Sequence, residues 1–264
     1  MRIWTIALST LGSFRRNKVI VLFCGLFICV VLLMMSPLMA YKAMTTAANA
    51  QQMQGFILNE VAGLMSLVSG FGSLLAAWAA ADAVAGEMKS GTILAVMARP
   101  LRRWEFLAGK YLGVMMLMAI YVVAMLGVTF TLAWLGGQRF HTALWVLLVY
   151  PMVRYAVWAA VAMLLVTVLH PIIVIAIFGV LATLITIFGQ SQSHIPSWVR
   201  VPVHLVLPIT DLLSEERFLV ITRASVKPFG WSNHLTALAY GLDYALVCFL
   251  LAVWVFHYRS LSRD

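Results

Sequence analysis

The sequence predicts an all-α membrane protein with six transmembrane helices, and three observations carry that prediction. Of its 264 residues, 63% are hydrophobic and 10% charged. Ordinary soluble domains are about 45–50% apolar and about 25% charged. A chain of this size in water has too little polar surface to cover so much apolar side chain, so lipid is the solvent that fits. Second, the apolar residues gather into runs of about 20, the length a helix needs to cross hydrocarbon. Third, the net charge of +9 comes from 18 Lys+Arg against 9 Asp+Glu, and most cations flank apolar runs. In a soluble protein that excess points to nucleic acid. Here it is the positive-inside pattern of a membrane protein, and no nucleic-acid partner is expected.

The elements follow in order within one transmembrane domain, residues 1–264. In residues 1–18, Trp4, Ala7, Leu8, Leu11 and Phe14 recur at helical spacing, with Arg2, Arg16 and Lys18 on or near the other side. This pattern predicts an amphipathic helix lying in the membrane interface. The apolar run 19–39 exceeds the about 7–15 residues of a signal-peptide core, so it reads as a retained first span. A polar loop from Tyr41 to about Gly55 leads to the second span, about 57–82, which is rich in glycine and alanine. Small residues let helices approach closely in lipid. The third span is about 107–135 and the fourth about 142–169. His170-Pro171 makes a break, and the fifth span is about 172–189. Residues 190–233 hold four prolines. That segment is too broken to span and is expected to form short extracytoplasmic helices. The sixth span is about 235–257.

Orientation follows from the cations. Arg2, Arg15, Arg16, Lys18, Lys89, Arg99, Arg102, Arg103, Lys110, Arg259 and Arg263 fall on one side, while the short loops opposite carry Lys42 and Arg139. Both termini are therefore expected in the cytoplasm, with the chain in the inner (plasma) membrane.

The densest charge cluster joins the second and third spans and reads ADAVAGEMKSGTILAVMARPLRRWEFLAGKYLG from Ala81. Gly86 and Gly91 bracket a short amphipathic piece with Glu87, Lys89, Ile93, Leu94, Val96 and Met97. Pro100 blocks continuation of a helix, and Lys110 has the reach to snorkel toward the interface. The cytoplasmic loop 83–104 is thus expected to hold a short helix on the membrane surface, placed to receive force from a soluble partner. Gly109 and Gly113 add a GxxxG spacing at the start of the third span, which permits close helix contact.

This stretch closely resembles the corresponding region of ABC-2-type transporter permeases. Gly86, Glu87, Gly91, Thr92, Arg99, Pro100, Arg103, Gly109, Lys110 and Gly113 carry the likeness. Leu207-Pro208-Ile209-Thr210-Asp211 also looks like a segment found before the last span in many members. The resemblance implies a homo- or heterodimer of permease subunits, with ABC ATP-binding subunits docked on the cytoplasmic side. It implies that the helix between spans two and three is the coupling helix. Glu87, Met88, Lys89, Thr92, Leu94 and the positions to Met97 would then contact the ATPase. Arg99, Arg102 and Arg103 would hold the coupling helix to lipid phosphates or to the interfacial helix. ATP and magnesium belong on the partner, and no cofactor is expected in this chain. It contains no Gly-x-x-x-x-Gly-Lys-Ser/Thr loop, since its one Gly-Lys pair, Gly109-Lys110, is followed by Tyr111.

Two other classes fit less well. A membrane-embedded lipid-modifying enzyme needs a cluster of acidic or histidine side chains, and Asp82, Glu87 and Glu105 are a thin set. An ATP-independent channel or carrier gives the 83–104 loop no task. The six histidines are scattered and the three cysteines lie in apolar runs, so no metal site is expected. Three charges sit within spans: Glu60, Arg154 and Asp243. An ion at the bilayer centre costs at least ~2.5–3.5 kcal/mol, so each should face protein or water. Counting ~1.5 Å per residue, Arg154 is about 18 Å deep and Asp243 about 12 Å. A pair of Arg154 with Asp243 or another buried acid is the structural expectation, and contact with a substrate is the functional one.

Overall fold

A computed structural model describes residues 2–18, 50–90, 102–135, 144–190 and 231–258, with positions 22, 23, 25, 28 and 29 of the first apolar run. The described residues form helices and no strands. In chain order these are α1 (Arg2–Arg16), α2 (Ala50–Ser90), α3 (Arg103–Leu135), α4 (Leu144–Val168), α5 (Pro171–Gln190) and α6 (Trp231–Tyr258). Stretches of α2, α3, α4 and α6 are long and apolar enough to cross a membrane: Leu67–Glu87, Arg103–Val128, Leu148–Val168 and His234–Tyr258. Most of the expected first span and nearly all of the 190–233 segment lie outside the described residues.

The second span departs from expectation. Here α2 runs unbroken for 41 residues, so 83–90 is helix rather than loop. Gly86 costs a helix about 1 kcal/mol relative to alanine. The surrounding alanines favour the helix and are packed: Ala79, Ala80, Ala81, Ala83 and Ala85 are all buried. That packing outweighs one glycine.

Helix directions follow from paired contacts. Tyr121 of α3 donates to the Val68 carbonyl of α2 at 2.8 Å, and Lys110 pairs with Glu87 further along. The residue numbers run oppositely, so α2 and α3 are antiparallel. Phe106 lies against Phe256 and Tyr111 against Phe249, with centroids 6.2 and 5.3 Å apart, which makes α6 antiparallel to α3 as well. Helix α4 packs on α2, α3, α5 and α6, and Tyr155 to Met163 is buried without interruption. It ends where expected. The His170 carbonyl accepts from Ile173 and Val174 at 2.9 and 3.1 Å, and Pro171 takes the first position of α5. Proline suits that position, because a first-turn N–H has no helical partner anyway.

Helices α2 and α4 touch at Gly72, where a Cβ would collide with the Tyr155 ring. Tyr155 is 1% exposed and cannot retreat. A Gly72→Ala substitution is therefore expected to destabilise the bundle by about 1–3 kcal/mol, the usual cost of overpacking. Gly70→Ala should be tolerated, because no described atom lies within 4 Å of its Cβ position. Unfolding midpoints in detergent that move equally for both would contradict this packing.

Candidate functional site at the charged end of the bundle

Helix α1 lies along the first turns of α3. Ala7, Thr10 and Phe14 are buried against the bundle, while Trp4 and Leu8 remain exposed at 58% and 47%. Thr10 Oγ1 donates to the Ile6 carbonyl at 2.8 Å, so the buried hydroxyl is satisfied within its own helix. The close approach comes from Gly109 and Gly113. A Cβ on Gly109 would stand 2.7 Å from Ile6 Cβ, and one on Gly113 2.7 Å from Thr10 Cβ. The GxxxG spacing is thus the seat of the N-terminal helix.

The start of α3 is fastened to two other helices. Glu105 Oε2 accepts from the Arg102 N–H at 3.1 Å, the reach-back half of a capping box. Arg103 Nη1 donates to the carbonyls of Phe256 at 3.1 Å and His257 at 2.8 Å. Carbonyls in the last turn lack partners in their own helix, and a cation there complements the negative end of the helix dipole. The cap therefore ties α3 to α6.

Two turns further in, Lys110 forms an ion pair with Glu87 of α2. Lys110 is 4% exposed, and its ammonium lies 5.7 Å from the Phe106 ring centroid. It is fixed inside the bundle rather than snorkelling to the surface. On the other side, Asn17 Nδ2 donates to Asp82 Oδ2 at 2.9 Å, joining the end of α1 to α2. The last turns of α2, the first turns of α3, the end of α6 and α1 thus form one cross-linked cluster. Residues 91–101 leave it at Ser90 and return at Arg102. The helix ends on both sides of that connector are therefore anchored.

Among the expected site residues, Glu87 and Arg103 are part of this cluster. Gly86, Met88 and Lys89 are carried on the last turns of α2. Gly91, Thr92, Leu94, Arg99 and Pro100 lie outside the described residues, as does the side chain of Glu60. Arg154 and Asp243 are not brought together. Arg154 Nη1 donates to Ser69 Oγ at 2.5 Å, and Asp243 is exposed on α6. The reason is direction: Arg154 reaches from α4 toward α2, while the α4–α6 contact at this level is made by Tyr150, whose hydroxyl is 2.7 Å from His234 Nδ1. Sequence reasoning missed this Tyr–His contact, the Arg103 cap and the Asn17–Asp82 bond. Their only trace in the sequence was polar residues near the ends of apolar runs. No group of three or more metal-ligating side chains occurs among the described residues.

The family profile described as ABC-2 family transporter protein matches residues 4–261, nearly the whole chain. The chain belongs to this family. A curated relative, named "Probable ABC transporter permease protein NosY" from Pseudomonas aeruginosa, is 33% identical over 120 residues. That match covers 45% of this chain and 40% of the relative. The ABC-2 assignment accounts for the long apolar helices and makes the chain a multi-pass membrane protein of a transport family.

Proposed function

We propose that the chain is the transmembrane permease subunit of an ABC-2 transporter. It couples ATP hydrolysis by a separate ATP-binding subunit to substrate export or a related mechanical task across the membrane. The observation that carries this reading is the cross-linked cluster at the two ends of the 91–101 connector, in a chain that matches the family over residues 4–261. The connector acts as the coupling element, and Glu87, Lys110 and Arg103 set the helix ends on which it acts. In this reading the chain spans the inner membrane six times. Both termini and the cross-linked end face the cytoplasm, and a second permease subunit completes the pathway. The exposed Trp4 and Leu8 of α1 lie in the headgroup region, as suits an interfacial helix.

The test is co-purification. The tagged full chain, extracted in mild detergent, is expected to bring with it a protein bearing a phosphate-binding Gly-x-x-x-x-Gly-Lys-Ser/Thr loop. Leu94→Asp, in the connector, is expected to abolish that association while the chain still inserts. A complex that lacks any such ATPase would refute the proposal.

A further inference from the structure

Between α2 and α4 lies a polar site that the ion pair, the caps and the connector leave unexplained. Its centre is Arg154, in the Leu148–Val168 stretch that is apolar enough to cross a membrane. One guanidinium nitrogen donates to Ser69 Oγ at 2.5 Å. Ser73, one turn on, donates to the Ser69 carbonyl at 2.9 Å, so among the described residues α2 offers this site a hydroxyl. No carboxylate forms an ion pair with Arg154 among the described residues. Its Nε is buried with no hydrogen-bond partner among them. One turn further along α4, Trp158 is 3% exposed, and its Nε1 is likewise buried without a described partner. The Trp158 ring is held against Phe178 of α5 at a centroid distance of 5.0 Å.

The chemistry of this set is one-sided. Residues at i and i+4 share a helix face; from that face Arg154 reaches Ser69 of α2 and Trp158 lies against Phe178 of α5. A guanidinium accepts nothing, and neither does an indole N–H. A charge within a span is costly unless something answers it, and buried donors without acceptors add to the cost. Only an acceptor satisfies all these groups, and an anionic one also offsets the charge. Guanidinium geometry favours the two oxygens of a carboxylate or phosphate.

We propose that Arg154 and Trp158 form an intramembrane binding site for an oxyanion, a carboxylate or phosphate group. The group belongs either to a lipid or to an acidic molecule in transit. Binding at this site does not depend on coupling to ATP, and it goes beyond the proposed function.

The experiment uses the full chain in neutral detergent, with any subunits that co-purify, and reads the thermal unfolding midpoint at constant ionic strength. The probes are acetate, inorganic phosphate and dihexanoyl phosphatidic acid. A ligand that binds the folded state raises the midpoint in a saturable way. The wild-type chain is expected to respond to at least one probe. Arg154→Gln should weaken the apparent affinity about tenfold or more, as loss of a charge-assisted hydrogen bond does, and Trp158→Phe by less. A response to phosphatidic acid alone assigns the site to lipid, whereas a response to acetate or phosphate assigns it to an acidic group in transit. No saturable response to any probe overturns the proposal. If Arg154→Gln does not fold, Trp158→Phe decides, and an unchanged response in that variant also overturns it.

Discussion

Replacing Lys110 with methionine is expected to destabilise the chain by about 3 kcal/mol, because breaking one side of a buried ion pair strands the other charge. The figure sits at the lower end of the usual range, since the Glu87 side chain keeps 27% of its exposure and water can reach it. Replacing both partners, Glu87→Gln with Lys110→Met, should restore most of the loss, because neutral groups leave no charge stranded. A double-mutant cycle on thermal midpoints measures this coupling. Single-variant losses that simply add up in the double variant would mean that the pair contributes nothing as a pair. The double variant also separates stability from mechanism. If the pair transmits motion from the connector, that variant should fold well, hydrolyse ATP in its complex and transport poorly.

Substituting Gly113 with leucine is expected to lift α1 from α3. Even a Cβ there stands 2.7 Å from Thr10 Cβ and 3.0 Å from the Ala7 carbonyl, so a leucine has no room. Overpacking of this kind costs about 1–3 kcal/mol, and among the described residues α1 packs chiefly on α3. A cysteine placed at position 7 reports the change, because Ala7 is 0% exposed. In a background with the three native cysteines replaced by serine, that thiol should be unreactive beside Gly113 and reactive beside leucine. Equal labelling in both would show that the GxxxG does not seat α1.

Much of this architecture was legible from residue pattern. Runs of apolar residues give spans because lipid imposes length and hydrophobicity directly. The His170-Pro171 break follows from proline chemistry, and the amphipathic α1 from its period. The spacing of Gly109 and Gly113 signalled a close contact but did not name the partner. Helical period alone did not separate the buried Ala7 and Phe14 from the exposed Trp4 and Leu8, since all belong to the apolar set. The end of α2 was misjudged because glycine is a weak breaker whose effect tertiary packing outweighs. Partners across helices were the least legible. Depth along the membrane normal placed Arg154 and Asp243 within reach, but which way each helix faces is set by packing that one sequence does not display. Hence Ser69, and not Asp243, receives the Arg154 guanidinium.

The unbroken length of α2 has a mechanical consequence. Its 41 residues form a rod ~60 Å long at ~1.5 Å per residue, about twice the ~30 Å hydrocarbon core. Glu87, near one tip, is bolted to α3, while Gly72, close to the midpoint, bears on Tyr155 of the central helix. That is the layout of a lever with its fulcrum inside the bundle. A ~10° tilt about the midpoint carries each tip ~5 Å in opposite directions. A small shove at the Ser90 end thus becomes an equal and opposite sweep at the Ala50 end.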